Sequence, residues 1–338
     1  MARVGEGLVA RGHAGWSWSE QTIRGAASVS LTRANWINSA RVERELASTN
    51  DFMIALESGL SIGPLLSGVD DADYLDRRTA AVATTRILGN VDRAMLSGEL
   101  ALVEDRPELR RVSTAVLFGG AFLPNRNTIA GRYGRASAAL EYHPRVTGES
   151  LSPGLGIRLR YEVSSGDLDW QRVEARLAGR RYWRGFVLAS RVDAGAVFAS
   201  VIPPQTLYEM GGYADLPSYG YKEFGGDRAA LGTGLLAYHF PVLRTPRRVK
   251  FLVLPGISPG VGAGIQGGWA QASSVAARTA LLALGGDGVT PLSRPTDRIR
   301  ATADLRLTFL AGAIAAGFAR PIDQPGKWKP FFRFGGAF

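Results

Sequence analysis

The sequence predicts an all-β protein, a transmembrane antiparallel β-barrel of about sixteen strands. Three observations predict this fold. Apolar and polar residues alternate strictly in segments of about ten to twelve residues, which is longer than a typical soluble strand and long enough for a tilted strand to cross a bilayer. The chain has 42 Gly among 338 residues, a content that disfavours an all-helical fold. It also ends in an aromatic-rich segment whose last residue is Phe338.

Composition excludes several other classes of protein. With 46% hydrophobic residues the chain can bury enough apolar surface to fold, and 0 Cys excludes disulfide frameworks, thiolate zinc sites and cysteine nucleophiles. The N-terminal residues show no apolar core of the kind found in a secretory signal peptide. The stretch from Phe251 to Ala277 carries no charge, but Pro255 and Pro259 exclude a membrane-spanning helix there.

The predicted strands follow one another along a single barrel domain, residues 1–338. They begin near residues 7, 22, 35, 50, 77, 94, 111, 132, 153, 168, 184, 226, 248, 297, 311 and 329. In chain order the alternation is clear from Arg135 to Tyr142, from Ile157 to Val163 and from Arg172 to Leu177. A water-soluble sandwich also alternates, but its strands are shorter and its polar faces carry less charge.

The segment from Arg298 to Phe309 shows the two faces most clearly. Its odd-numbered residues are all apolar, and its even-numbered residues are all polar. Since the strands of a membrane barrel turn apolar side chains towards lipid and polar ones inwards, we predict that the charged residues of this segment line a wet lumen. These are Arg298, Arg300, Asp304 and Arg306.

The last predicted strand carries an aromatic signal. Phe332, Phe334 and Phe338 share one face of the segment KPFFRFGGAF. An aromatic C-terminal residue with aromatics at alternate positions before it resembles the assembly signal of bacterial outer-membrane barrels. A soluble edge strand is the alternative, but three Phe exposed to water would make it prone to aggregate.

A long connection before Arg228 contains several aromatic and glycine residues. It reads YEMGGYADLPSYGYKEFGGDR from Tyr208 to Arg228, and the strand that follows ends near Phe240 and Pro241. Because a freely solvated loop would not expose this many aromatic side chains to water, we expect the loop to fold back into the lumen. Its motif residues are Leu216, Pro217, Ser218, Tyr219, Gly226, Asp227 and Arg228.

Together with VDAGAVF from Val192 and GFARPID from Gly317, this motif resembles the BamA and TamA superfamily, the bacterial surface antigen type of outer-membrane barrel. The resemblance is clearest over residues 170–338. It implies a sixteen-stranded barrel in the bacterial outer membrane, with the loop plugging the lumen between the eleventh and twelfth strands. The chain departs from the family pattern at Pro217, where the family has an arginine, and it has no room for the periplasmic POTRA modules that usually precede the barrel.

The resemblance also implies a function and partners. We expect the barrel to assist insertion, assembly or translocation of polypeptides, with outer-membrane lipids including lipopolysaccharide, the barrel-assembly machinery and client polypeptides as partners. The alternative is a C-terminal membrane anchor or passive pore that belongs to a larger protein, whose activity would lie in N-terminal domains missing from this sequence. A soluble β protein is a third interpretation, and it would need a second sheet to bury the Phe-rich faces.

The remaining motifs predict neither an enzyme nor a cofactor. GISPG, from Gly256, matches a nucleophile elbow and GAGIQG, from Gly262, matches a dinucleotide fingerprint, but both motifs require a following helix, which a β pattern with Pro259 does not favour. The acidic run of Asp70, Asp71 and Asp73 is more typical of a solvated turn than of a calcium site. The net charge of +10 suits a polar lumen or anionic lipid better than nucleic acid, because most Arg residues lie at alternating strand positions.

Overall fold

Long strands dominate the computed structural model. The structure describes residues 2–5, 7–17, 20–49, 52, 73–89, 93–108, 125–148, 152–212, 215–242, 247–249, 252–254, 256–285, 292–312 and 314–334. The strands are β1 (Ala2–Gly5), β2 (Leu8–Ser17), β3 (Thr22–Arg33), β4 (Trp36–Ser48), β5 (Tyr74–Leu88), β6 (Ala94–Pro107), β7 (Gly131–Tyr142), β8 (Gly154–Gly166), β9 (Trp170–Trp183), β10 (Phe186–Phe198), β11 (Tyr208–Met210), β12 (Phe224–Gly226), β13 (Arg228–His239), β14 (Arg247–Val249), β15 (Leu252–Leu254), β16 (Gly260–Gln271), β17 (Arg300–Phe309), β18 (Ile314–Pro321) and β19 (Lys329–Phe334).

In the described residues, helical structure is limited to short pieces. The helices are α1 (Pro144–Gly148) and α2 (Val275–Ala283), with 3-10 turns at Pro204–Thr206 and Leu310–Gly312. The side chain of Ser274 caps α2 by accepting a hydrogen bond from the backbone N–H of Ala277. Within the described ranges, no helix combines the length and the hydropathy that a membrane span requires.

Fifteen of the described strands form one antiparallel sheet, and the order of these strands in the sheet is their order along the chain. The order is β1 to β10, then β13, then β16 to β19. The two other ladders are short: β11 pairs with β12, and β14 pairs with β15. This long up-and-down sheet confirms the predicted transmembrane antiparallel barrel.

The sheet differs from the sequence prediction at four strands, since β1 (Ala2–Gly5) precedes the first predicted strand and is an addition to the prediction. β4 pairs directly with β5 and β6 pairs directly with β7, so the strands expected near residues 50 and 111 do not lie between them. Residues 53–72 and 109–124 lie outside the described ranges. The strand expected near residue 248 begins instead at Gly260, immediately after Pro259, because a proline cannot donate to a ladder. The long loop therefore joins the tenth strand of the sheet to the eleventh, one place earlier than expected.

Alternation along each strand separates an apolar outer face from a polar inner face. In β17, Leu305 and Leu307 are 58% and 53% exposed, whereas Arg306 between them is 5% exposed. Outward positions on other strands carry exposed apolar side chains such as Val82, Leu102 and Leu159. In a membrane barrel this outer face meets lipid, and the inner face lines the lumen.

The two ends of the barrel have different connections. The strands that flank residues 49–73, 108–130, 199–227 and 272–299 enter and leave these connections at one end of the sheet, which we name the long-loop end. Two-residue turns at 34–35 and 184–185 lie at the other, the short-turn end. In outer-membrane barrels the long loops face outwards and the short turns face the periplasm.

Candidate functional site: a loop that fills the lumen

The connection between β10 and β13, residues 199–227, is named here the plug loop. Its two arms form the β11–β12 ladder, with Tyr208 opposite Gly226 and Met210 opposite Phe224. Gly211 has φ 121° and Gly212 has φ 96°, backbone conformations that favour glycine and let the chain turn sharply after β11. Nearly all of its described residues from Ile202 to Met210 and from Asp215 to Tyr219 are buried. The plug loop therefore lies inside the barrel.

Apolar side chains pack the plug loop against the barrel wall. Met210 and Leu216 are fully buried and lie against Gly268 of β16, where an added Cβ would come 3.1 Å from each side chain. Gly195 of β10 leaves room for Tyr208 in the same way. Tyr208 stacks on Phe52 with ring centroids 4.7 Å apart. The wall glycines thus form the surface into which the loop fits.

The tip of the plug loop is held by hydroxyl groups. Ser218 Oγ lies 2.6 Å from Thr302 Oγ1 of β17, and the Tyr219 hydroxyl donates a hydrogen bond to Asp323. Asp323 also accepts from Arg300 Nη1 at 3.1 Å. Pro217, between the two contacts, is buried. The tip is therefore anchored through its neighbours at the position where the family pattern has an arginine.

These contacts shift the pKa values of two groups. Burial, and then the hydrogen bond to Asp323, raise the pKa of Tyr219. Burial acts to raise the pKa of Asp323, but hydrogen bonds from the Tyr219 hydroxyl, the Ala301 backbone N–H and Arg300 outweigh it and lower that pKa. Asp323 is thus held as a carboxylate at neutral pH.

A buried charge cluster fixes the other side of the plug loop. It consists of Asp73, Arg126, Glu209 and Lys222, joined by Ser293. The Lys222 ammonium forms an ion pair with Asp73 and lies 3.7 Å from Glu209 Oε2. Arg126 Nε lies 3.2 Å from Glu209 Oε1, and the Arg126 backbone N–H donates to Asp73 Oδ1 at 2.8 Å. Two cations therefore balance two anions.

Burial and charge act in opposite directions on Lys222. Burial would lower its pKa, but the charges of Asp73 and Glu209 outweigh that effect and raise it. The Ser293 hydroxyl donates to Glu209 and lies 2.7 Å from the Lys222 carbonyl oxygen. The cluster joins the plug loop to the starts of β5 and β7 and to the segment before β17.

The Gly-Asp-Arg part of the motif closes the plug loop. Gly226 lies so close to the backbone of Gln271 that a side chain would collide with it. Asp227 is buried and accepts from the backbone N–H of Ser273 at 2.7 Å and from its hydroxyl at 2.5 Å. Arg228 is exposed, with its guanidinium 6.0 Å from the ring centroid of Phe198. The motif therefore divides between the lumen and the outer face.

The charged residues predicted on the last strands lie in two environments. Asp304 accepts two hydrogen bonds of 2.6 Å from Arg306 and one of 2.6 Å from Gln266, all on the inner face. Arg300 lies 2.6 Å from Asp297 and over the ring of Phe224 in the plug loop. Arg298 differs, because its side chain is 57% exposed at the long-loop end, 4.0 Å from Asp323.

The terminal segment pairs with β18 through Phe332 opposite Ala316 and Phe334 opposite Ile314. Phe332 is 50% exposed on the outer face. Phe331 is buried inside, 5.5 Å from the guanidinium of Arg306. Phe338 lies outside the described residues.

Sequence reasoning did not identify the buried charge cluster. The acidic run predicts a solvated turn for Asp73 as for Asp70 and Asp71, but Asp73 is buried and paired with Lys222, 149 positions away. Asp70 and Asp71 lie outside the described residues. Arg126, Glu209 and Ser293 have no local pattern that would have marked them.

Comparison with known proteins supports the fold. No family model matches the sequence, and no curated protein matches it. Among solved structures, BamA from Haemophilus ducreyi lacking POTRA domains 1–3 is similar over 97% of this chain and 68% of that one, with 12% identity and a TM-score of 0.52. CdiB from Acinetobacter baumannii is similar over 96% of this chain and 52% of that one, with 10% identity and a TM-score of 0.47, too weak a likeness to support an argument. The chain therefore has the fold of the BamA barrel.

Proposed function

We propose that this chain is an outer-membrane barrel of the BamA and TamA superfamily that assists insertion, assembly or translocation of polypeptides. Its partners are the lipids of that membrane, lipopolysaccharide among them, the barrel-assembly machinery and client polypeptides. The proposal includes no bond-making chemistry and no cofactor.

The buried plug loop is the observation that carries the proposal. A passive pore needs an open lumen, whereas here Met210, Leu216 and Phe224 are fully buried inside the barrel. The edges of the sheet add support, because β1 and β19 are the first and last strands of its order. A client strand can pair with an exposed edge.

A folding assay in proteoliposomes tests the proposal. The purified barrel is reconstituted, a urea-denatured eight-stranded barrel is added as client, and the folded fraction is followed by its shifted migration on unheated gels. We expect folding about tenfold faster than in liposomes that hold an unrelated barrel of similar size, equivalent to about 1.4 kcal/mol of the barrier. Equal rates in both preparations would remove the insertion role.

The second candidate, a membrane anchor or passive pore, makes a different prediction. A passive pore conducts ions in a planar bilayer with the plug loop intact, whereas a plugged barrel conducts only after the loop is removed. Cofractionation of the chain with lipopolysaccharide on a density gradient tests the proposed location separately.

A further inference from the structure

A row of charged side chains crosses four neighbouring strands on the outer face, at the long-loop end. Arg44 of β4 lies opposite Arg78 of β5, Arg78 lies opposite Glu104 of β6, and Glu104 lies opposite Arg132 of β7. Neighbouring strands are about 4.8 Å apart, so the four residues form a continuous line. We name it the arginine row.

Positive charge exceeds negative charge in this row. Glu104 accepts hydrogen bonds from Arg132 Nε at 2.9 Å and from Arg106 Nη2 at 2.8 Å, and Arg78 Nη1 lies 3.3 Å from it. One carboxylate cannot satisfy three guanidinium groups, each with five N–H donors. The side chain of Arg132 is 76% exposed, and within the described part of the chain Arg78 Nε is buried without a hydrogen-bond partner. Arg44 is occupied by Asp76, 2.8 Å away.

The outer face next to the arginine row is apolar. Two positions from each residue of the row, towards the short-turn end, the same face carries four residues that lie opposite one another: Val42, Ala80, Leu102 and Gly134. A groove of about 920 Å³ has the arginine row at one end and these residues along its wall. A second groove of about 950 Å³ continues it over the next apolar row of Ala40, Val82, Leu100 and Ala136.

Trp36 and Arg86 lie opposite each other at the short-turn end of the same face, two residues beyond the hydrogen-bonded pair of Asn38 and Thr84, and the Arg86 guanidinium lies 5.4 Å from the Trp36 ring centroid. Arg78 and Arg86 are on the same strand and the same face. Eight residues of strand span about 26 Å, which at a strand tilt of about 40° is about 20 Å along the membrane normal, comparable with the height of about 25 Å for the apolar band of an outer-membrane barrel. The arginine row therefore lies at the level of lipid headgroups.

We propose that the arginine row binds the phosphate groups of a phosphorylated, multiply acylated lipid in the leaflet at the long-loop end, with the acyl chains in the adjoining groove. Guanidinium groups bind phosphate through paired hydrogen bonds, and the three that surround Glu104, those of Arg78, Arg106 and Arg132, match a headgroup with more than one phosphate. Glu104 holds the arginines in place and limits their excess charge. The identity of this leaflet rests on the proposed outer-membrane function.

Lipid binding by purified protein in detergent tests the site. The probes are diphosphorylated lipid A and the same lipid after removal of its phosphates, and bound lipid is measured by native mass spectrometry. Each arginine near a lipid surface contributes about a fivefold gain in affinity, so we expect the R78Q/R132Q variant to bind diphosphorylated lipid A about 25-fold more weakly than the original chain. The dephosphorylated lipid should bind equally weakly to both.

Two matched variants make the test specific. R33Q/R86Q removes the same number of outward arginines at the short-turn end and should leave binding unchanged. E104Q removes the only carboxylate among the four side chains of the row and should strengthen binding, an effect opposite to that of general damage. All variants are first checked for heat-shifted gel migration, which reports a folded barrel.

The outcomes separate the site from the proposed function. Equal binding of the two lipids, or equal losses in R78Q/R132Q and R33Q/R86Q, would overturn the site. Inorganic phosphate that competes fully at millimolar concentration would show an anion site without a lipid, and would also overturn it. Because lipid binding is measured in detergent, its result does not depend on the outer-membrane location of the protein or on the outcome of the folding assay.

Discussion

Replacing Lys222 by Met removes an ammonium group that contacts both carboxylates of the buried charge cluster. The side chain of Lys222 is 2% exposed, and it faces Asp73 and Glu209 while Arg126 supplies the second cation. The K222M variant leaves two buried carboxylates with one cation. Breaking a buried ion pair by removing one partner costs about 3–5 kcal/mol.

The substitution therefore makes the free energy of docking of the plug loop less favourable by this amount, because the cluster joins the loop to the barrel. At about 1.4 kcal/mol per factor of ten, the docking equilibrium should shift by roughly two to three and a half orders of magnitude. The assay is single-channel recording in planar bilayers, which reports the fraction of time that the lumen conducts. We expect K222M to open frequently and the original chain to remain closed.

Two further variants complete the test. K222M/D73N removes one cation and one anion together, leaving Arg126 to balance Glu209, and should restore most of the docking. Glu223 is the neighbour of Lys222 and forms a 2.7 Å ion pair with Arg294, but this pair is exposed. E223Q should therefore change docking by less than about 1 kcal/mol. Conductance in K222M equal to that of E223Q, or no rescue in the double variant, would refute the reasoning.

Three other predictions concern the plug loop, the two faces and the terminus. The pKa of Asp323 lies below its ordinary value of 3.8, and that of Lys222 lies above its ordinary value of 10.5. Both groups therefore stabilise the docked loop between these two values, and the loop should loosen only as the pH falls below about 3.8. Conductance measured from pH 3 to pH 9 checks this, and opening near neutrality would contradict it. Leu159→Cys should resist a water-soluble thiol reagent in intact membranes and Arg160→Cys should react, because the first faces lipid and the second the lumen; equal labelling would contradict the assigned faces. Deleting Phe338 should lower the amount of folded barrel in the membrane more than the thermal stability of the barrel that does fold, and unchanged assembly on fractionation would show that the terminus is not a signal.

Strand faces were predictable because a strand repeats every two residues, whatever it pairs with. In β17 the alternation of Thr302, Asp304 and Arg306 with apolar residues in the sequence is the same as the alternation of burial in the structure. Strand positions were less predictable between residues 49 and 130. There the same alternation occurs in connections, and only the direct pairing of β4 with β5 and of β6 with β7 shows which segments belong to the sheet.

For the plug loop, burial could be predicted from the sequence, but the residues that it contacts could not. An excess of aromatic residues indicated burial, and Tyr208 and Tyr219 are buried. The partners could not be named, since a charge such as Lys222 pairs with whichever carboxylate the closed fold brings near it. The sequence around Asp73 is typical of an exposed turn, and its burial follows from the arrival of Arg126 and Lys222.

The sequence separations of the plug contacts have a consequence for the order of folding. Ser218 meets Thr302 across 84 positions, Tyr219 meets Asp323 across 104, and Lys222 meets Asp73 across 149. Contacts this distant form slowly, because the intervening chain must first be ordered. The loop thus gains its full set of partners only after β17 and the segment after β18 have joined the sheet. A barrel still adding its last strands contains an unfixed loop, and seating of that loop marks the completion of assembly.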